Sequence, residues 1–169
     1  MNKYSAQLLF SLISFVFIVP CMADTLPNTD QTSHTAAQFD ELDGVQIFST
    51  IATFEDAKDD LLMAIEDKGL VVSYTSHAKL MFDRTKNVTG AKIPVYDNGE
   101  IILFCKADLS HDLVEENPHN IILCPYAIAI YVLHTEPERV YLSFRELDKS
   151  LKTAKPINTL LAEIINEVI

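Results

Sequence analysis

Two apolar stretches near the C-terminal end, YAIAIYVL (126–133) and VYLSFR (140–145), constrain the fold of this chain most. In the first, Ile128, Ile130 and Val132 fall on one side of an extended strand, and Ala127, Ala129 and Tyr131 on the other. In the second, Val140, Leu142 and Phe144 share a side. A period of two belongs to strands with one buried face, and the short polar link HTEPER between them predicts an antiparallel hairpin. Such a hairpin needs cover for its apolar side. The last segment offers it: Ile157, Leu160, Leu161, Ile164, Ile165 and Val168 recur at helical spacing, so a helix is predicted over 156–168.

Upstream, residues 44–52 (GVQIFSTIA) alternate as a strand. Thr53 then caps a helix, with Glu55 and Asp56 in its first turn to suit the helix dipole, and Gly69 as a left-handed stop. Phe54, Ala57, Leu61, Leu62 and Ile65 form its apolar stripe. Residues 70–75 follow as a strand. The stretch 76–99 is the least regular and ends on the turn signal Asp97-Asn98-Gly99. Residues 101–106 are the next strand. Ser110 is expected to cap a short helix, with Leu109 and Val114 as its hydrophobic staple, and Pro118 to end it. These elements predict an α/β (α+β) domain over 44–169. Its antiparallel sheet has about five strands with helices packed on one face, in the order β-α-β-β-(α)-β-β-α. The chain shows no internal repeat and no low-complexity tract.

At the N-terminus, Lys3 precedes an apolar run from Leu8 to Val19, then Pro20 and the small-residue end Cys21-Met22-Ala23. This is the order of a cleaved secretory signal, and the run is short for a membrane-spanning helix. Cleavage after Ala23 is expected, leaving no stable membrane anchor, and the periplasm of a bacterium is the expected destination. Residues 24–43 read as a flexible polar lead-in. Without residues 1–23 the chain has 12 Lys and Arg against 24 Asp and Glu, a net charge of −12. Such acidity argues against nucleic acid or anionic lipid as a partner. It also leaves two cysteines, Cys105 and Cys124, in an export setting that permits disulfides.

The run Met81-Phe82-Asp83-Arg84-Thr85, then FCKADLS (104–110), then ENPHNIILCPYAIAIY (116–131) resembles the domain-of-unknown-function 302 family, above all its exported bacterial branch. The similarity spans roughly residues 44–147. The resemblance implies a small α/β sandwich related to half of a TATA-binding-protein-like fold, often paired as homodimers, and it implies no established activity. His77 falls where the family often has a His-Ala step. His111 and His119 fall where it does not call for histidine.

No residue set points to catalysis, and no metal or cofactor is expected. A thioredoxin-type pair wants Cys-x-x-Cys, whereas these cysteines are nineteen positions apart. Cys105, His111, His119 and Cys124 are suitable zinc ligands by type, yet their spacing matches no compact metal knuckle. Ser110 and His111 are adjacent and so point about 100° apart on a helix, which makes His111 a poor base for Ser110. Glu115, Glu116 and the run 136–138 read as solvated surface. Asn87-Val88-Thr89 is formally a glycosylation sequon, relevant only in a eukaryotic secretory pathway.

Two expectations remain. Tyr126, Ala127, Ala129 and Tyr131 offer a strand face with small residues, where a helix, a second subunit or a ligand can approach. The second concerns the cysteines. Cys105 ends one strand and Cys124 directly precedes the next, so antiparallel pairing brings them within the ~4.4–6.8 Å Cα separation of a disulfide. Pro125 would hold Cys124 extended. The function expected is a non-enzymatic domain that binds an unknown small molecule or protein, stapled by Cys105–Cys124. A redox or metal-binding enzyme using the same cysteines is the alternative.

Overall fold

The structure, a computed structural model, describes residues 43–169; the expected signal segment and nearly all of the lead-in lie outside the described residues. The elements run β1 (Val45–Ile51), α1 (Phe54–Asp67), β2 (Val71–Ser76), α2 (Ala78–Thr89) and β3 (Tyr96–Cys105). They continue with α3 (Ala107–Glu116), a 3-10 helix (Pro118–Leu123), β4 (Tyr126–Leu133), β5 (Arg139–Arg145) and α4 (Ala154–Asn166). The strands form one antiparallel sheet in the order β1-β5-β4-β3-β2. The expected antiparallel α+β architecture is therefore the observed one.

The hairpin β4–β5 sits inside the sheet, and its register explains the core. Ile128 pairs with Phe144 and Ile130 with Leu142, while Ile102 of β3 pairs with Ile128 on the other side. These side chains form rows across one face, and all are buried. Above them lie Ala57, Leu61 and Ile65 of α1 and Ile157, Leu161, Ile164 and Ile165 of α4, buried with them in one cluster. Each such aliphatic side chain contributes about 1.5–3 kcal/mol by leaving water. β1 and β2 are the two edges and run parallel to each other, so α1, which joins them, crosses the covered face.

α1 starts as its composition predicts: the Asp56 backbone N–H donates to Thr53 Oγ1 at 3.1 Å, and the Thr53 hydroxyl donates to Asp56 Oδ2 at 2.7 Å. It ends at Gly69, whose φ of 72° few other residues adopt at low cost, with Leu70 N–H reaching Ile65 O at 3.2 Å. α4 is held by an amide clamp: Leu147 N–H donates to Asn158 Oδ1 (2.9 Å), and Asn158 Nδ2 donates back to Leu147 O (3.2 Å).

Three expectations fail locally. The irregular stretch 76–99 contains the helix α2, which has no side-chain N-cap and no buried residue to signal it. Thr85 and Thr89 donate their hydroxyls back to the carbonyls of Met81 (2.9 Å) and Thr85 (3.1 Å), a bonding mode that lets threonine sit inside a helix. Asp97-Asn98-Gly99 makes no turn; it lies within β3 at an irregularity in the pairing with β4 between Tyr96 and Asn98. Ser110 does not cap α3, which begins three residues earlier, at Ala107. Its start is served by Asp108, whose Oδ1 accepts from Leu109 N–H at 2.8 Å.

Candidate functional site

Two places gather the residues of interest. The first lies where β3 ends and β4 begins. The last pair of their ladder is Phe104 with Tyr126, which leaves Cys105 one residue beyond it and Cys124 two residues before it. Cys124 is extended (φ −118°, ψ 134°), followed by a cis peptide bond to Pro125. The two thiols are neighbours close enough for Cys124 to act on the titration of Cys105. They remain free thiols here, so the expected disulfide is not formed in this structure. Ser110, inside α3, aims its hydroxyl at the same spot, 3.5 Å from Cys124 Sγ and 3.3 Å from the Tyr126 hydroxyl. This contact, and not helix capping, is the role of Ser110.

Burial pushes the Cys105 thiol up to about 11, and the neighbouring Cys124 adds to the effect. A thiol held protonated at neutral pH is a weak nucleophile, since the thiolate is the reactive form. Tyr126 is raised as well, first by burial. His111 and His119 are exposed and do not join the sulfurs. Among the described residues no group of three or more His, Cys, Asp and Glu side chains converges on a point.

Tyr126 departs from the strand face expected for it. It is buried on the helix-covered side, edge-on to Phe104 with ring centroids 6.4 Å apart. Ala127, Ala129 and Tyr131 do share the other face, with Ala127 exposed and the other two half-buried. Tyr131 stacks on Tyr141 at 5.4 Å and meets the edge of Tyr96 at 5.6 Å. Tyr96 in turn stacks on Phe82 of α2 at 5.9 Å.

That chain of rings leads to the second place, which the sequence reading left undescribed. α2 rests beside Gly99, where the space a Cβ would occupy is bounded by Lys79 and Tyr131. Its start is tied to the sheet through Glu100, which lies 3.1 Å from His77 Nδ1 and 2.8 Å from Lys58 Nζ of α1. At its other end Gly90 adopts a φ of 72°, so the chain doubles back and residues 91–95 form a second wall. His134 N–H donates to Val95 O at 2.9 Å and pins the end of that wall. Between the walls lies an open groove of about 790 Å³. Leu80, Met81, Phe82 and Val88 on α2, and Ile93 and Val95 on the loop, are 42–90% exposed.

Glu116, expected to be solvated surface, is a cap for the approach to α4. Its carboxylate accepts from Lys152 N–H at 3.0 Å, and from the N–H and hydroxyl of Thr153 at 3.3 and 3.1 Å. These bonds, first the one from Lys152, hold its carboxyl below the usual range.

No family model matches this sequence, and no curated protein does. The fold is similar to that of a solved structure described as an uncharacterized conserved protein DUF302 from Bacillus stearothermophilus. The two superpose with a TM-score of 0.63 at 12% sequence identity, covering 75% of this chain and 98% of that one. At that identity the likeness establishes the fold, which is the fold implied by the resemblance of the cysteine-bearing segments to the same family.

Proposed function

We propose that this chain is an exported DUF302-type domain that binds a small molecule or a partner protein and performs no catalysis itself. The observation that carries the reading is α2. A surface helix normally buries its apolar side, yet α2 buries none of its residues, although it carries Leu80, Met81, Phe82 and Val88. Met81 and Phe82 line one groove together with Ile93 and Val95, and exposed apolar side chains brought together in this way mark an interaction site. The upward shift of the Cys105 thiol fits this reading, since a thiol held protonated is a weak nucleophile for redox exchange. In this reading Cys105 and Cys124 close into a structural disulfide after export, and the face of Ala127, Ala129 and Tyr131 serves a homodimer.

The test is to purify the exported protein without chelators and identify co-purifying molecules by mass spectrometry, beside a Phe82→Ser variant. A bound molecule or protein retained by the wild type and lost from the variant is expected. Stoichiometric zinc or two freely titrating thiols, with no occupant lost with Phe82, would overturn the reading in favour of the enzyme. N-terminal sequencing should begin at Asp24; intact Met1 in a membrane fraction refutes export by a cleaved signal.

A further inference from the structure

We propose that the groove beside α2 takes a single-chain organic anion: an apolar chain that ends in a carboxylate. The inference rests on the binding role just assigned to α2 and names the class of occupant. Its first support is the segregation of charge. Residues 78–95 contain Lys79, Arg84, Lys86 and Lys92 against the single acid Asp83, a local charge of +3 in a chain of net charge −11. The rest of the chain therefore carries −14. The exposed apolar patch coincides with this cationic island in an otherwise acidic protein.

The arrangement within the groove separates the two chemistries. Met81, Phe82, Ile93 and Tyr96 line it with apolar surface, and Lys86 and Lys92 line it with ammonium groups. Asp83 also reaches the groove, but it is held by Lys79, whose Nζ lies 2.5 Å from its Oδ2. Among the described residues, neither Lys86 nor Lys92 has a carboxylate within ion-pair distance. Lys86 also feels the charge of Asp83, but neither lysine is closed into an ion pair, and two such ammonium groups beside an apolar wall are matched by an anion on an apolar chain. A neutral hydrocarbon would leave them unanswered, and a cationic amphiphile would be repelled. The groove volume falls in the range of small-ligand sites.

An anionic bilayer is the other source of such chemistry, and the net charge argues against it. A membrane surface meets the whole molecule, so the −14 outside the patch opposes approach within a Debye length of ~8 Å. A single small anion entering the groove meets mainly the lysines.

The experiment uses the full exported chain and three probes below their aggregation concentrations: dodecanoate, dodecanol and dodecylammonium, each titrated by calorimetry. Dodecanoate should bind one to one, at least tenfold tighter than dodecylammonium, and weaken as salt rises. In the double variant Lys86→Gln, Lys92→Gln the affinity for dodecanoate should fall about tenfold, from the loss of charge-assisted contacts, with dodecanol unchanged. Phe82→Ser should weaken all the probes that bind. These positions are exposed, and an unchanged melting curve verifies that each variant is folded. Equal binding of the three probes, or no effect of the double lysine variant, overturns the anion assignment and leaves the groove as a binding site. Binding of none of the probes overturns it too, and an occupant lost with Phe82→Ser would still uphold the binding role. Flotation with phosphatidylglycerol vesicles in the absence of dodecanoate binding would move the surface to a membrane role.

Discussion

Closing Cys105 and Cys124 into a disulfide should raise the free energy of unfolding by about 3 kcal/mol, the loop-closure entropy removed from the unfolded chain by ringing residues 105–124. The folded state gives up little in return. The thiols are already neighbours, the last ladder pair Phe104–Tyr126 fixes both backbones, and Ser110 keeps its contact with Tyr126. For a domain of this size such a gain corresponds to roughly 10 °C in melting temperature. Thermal unfolding followed by far-ultraviolet circular dichroism, with and without reductant, measures it. Intact mass two hydrogens below the reduced value certifies closure. Cys105→Ser, Cys124→Ser and the double variant should all melt with the reduced wild type, because the same single bond is missing from each. Oxidised and reduced proteins that melt within a degree or two of each other would refute the argument. So would a double variant clearly less stable than either single one.

Further outcomes follow from the same geometry. Because the Cys105 thiol is raised when folded, its contribution is complete below the unfolded thiol value and is lost as pH climbs toward about 11. The reduced protein should therefore lose stability above about pH 9 while the oxidised form does not; parallel pH profiles of urea unfolding would contradict this. Glu116 shifts the other way: its lowered carboxyl contributes above the unfolded carboxylate value and loses that contribution as pH falls through the folded one. Glu116→Gln should lower the melting temperature at pH 7, with the difference fading in acid. Ile130→Ala removes a fully buried side chain between Glu100 and Leu142 in the sheet and should cost about 3 kcal/mol in urea unfolding, and a loss below 1 kcal/mol would show the site collapsing around the gap.

The parts of the fold readable from sequence are those in which local pattern and burial agree. β4 and β5 alternate because their inward rows face α1 and α4, and α4 carries its stripe because that stripe is the other half of the same core. Thr53 and Gly69 mark α1 by chemistry that needs no tertiary partner. α2 was hidden for the converse reason: with nothing buried, its apolar residues keep no inward period, and Thr85, Val88 and Thr89 look like strand or loop. Asp97-Asn98-Gly99 carries turn chemistry that the pairing with β4 overrides. Ser110 reads as a cap, yet α3 starts three residues before it without a side-chain cap, and its contacts with Cys124 and Tyr126 depend on residues fourteen and sixteen positions away. The groove lies between an unsignalled helix and a loop, so only the charge contrast of residues 78–95 could have announced it.

The strand order has a consequence for how the molecule assembles. β3, β4 and β5 are neighbours both in sequence and in the sheet, and they can zip together through connections of modest length. β1 cannot, because its partner is β5, with Val45 opposite Arg145, one hundred positions along the chain. Closing so long a loop is slow, and the entropy lost must precede the contacts that offset it. A chain that emerges N-terminus first holds β1 as an unpaired edge until nearly all the rest has followed. The segment VQIFSTI carries neither charge nor proline to blunt that edge, so the interval before β5 arrives is when this protein is most exposed to pairing with the wrong strand.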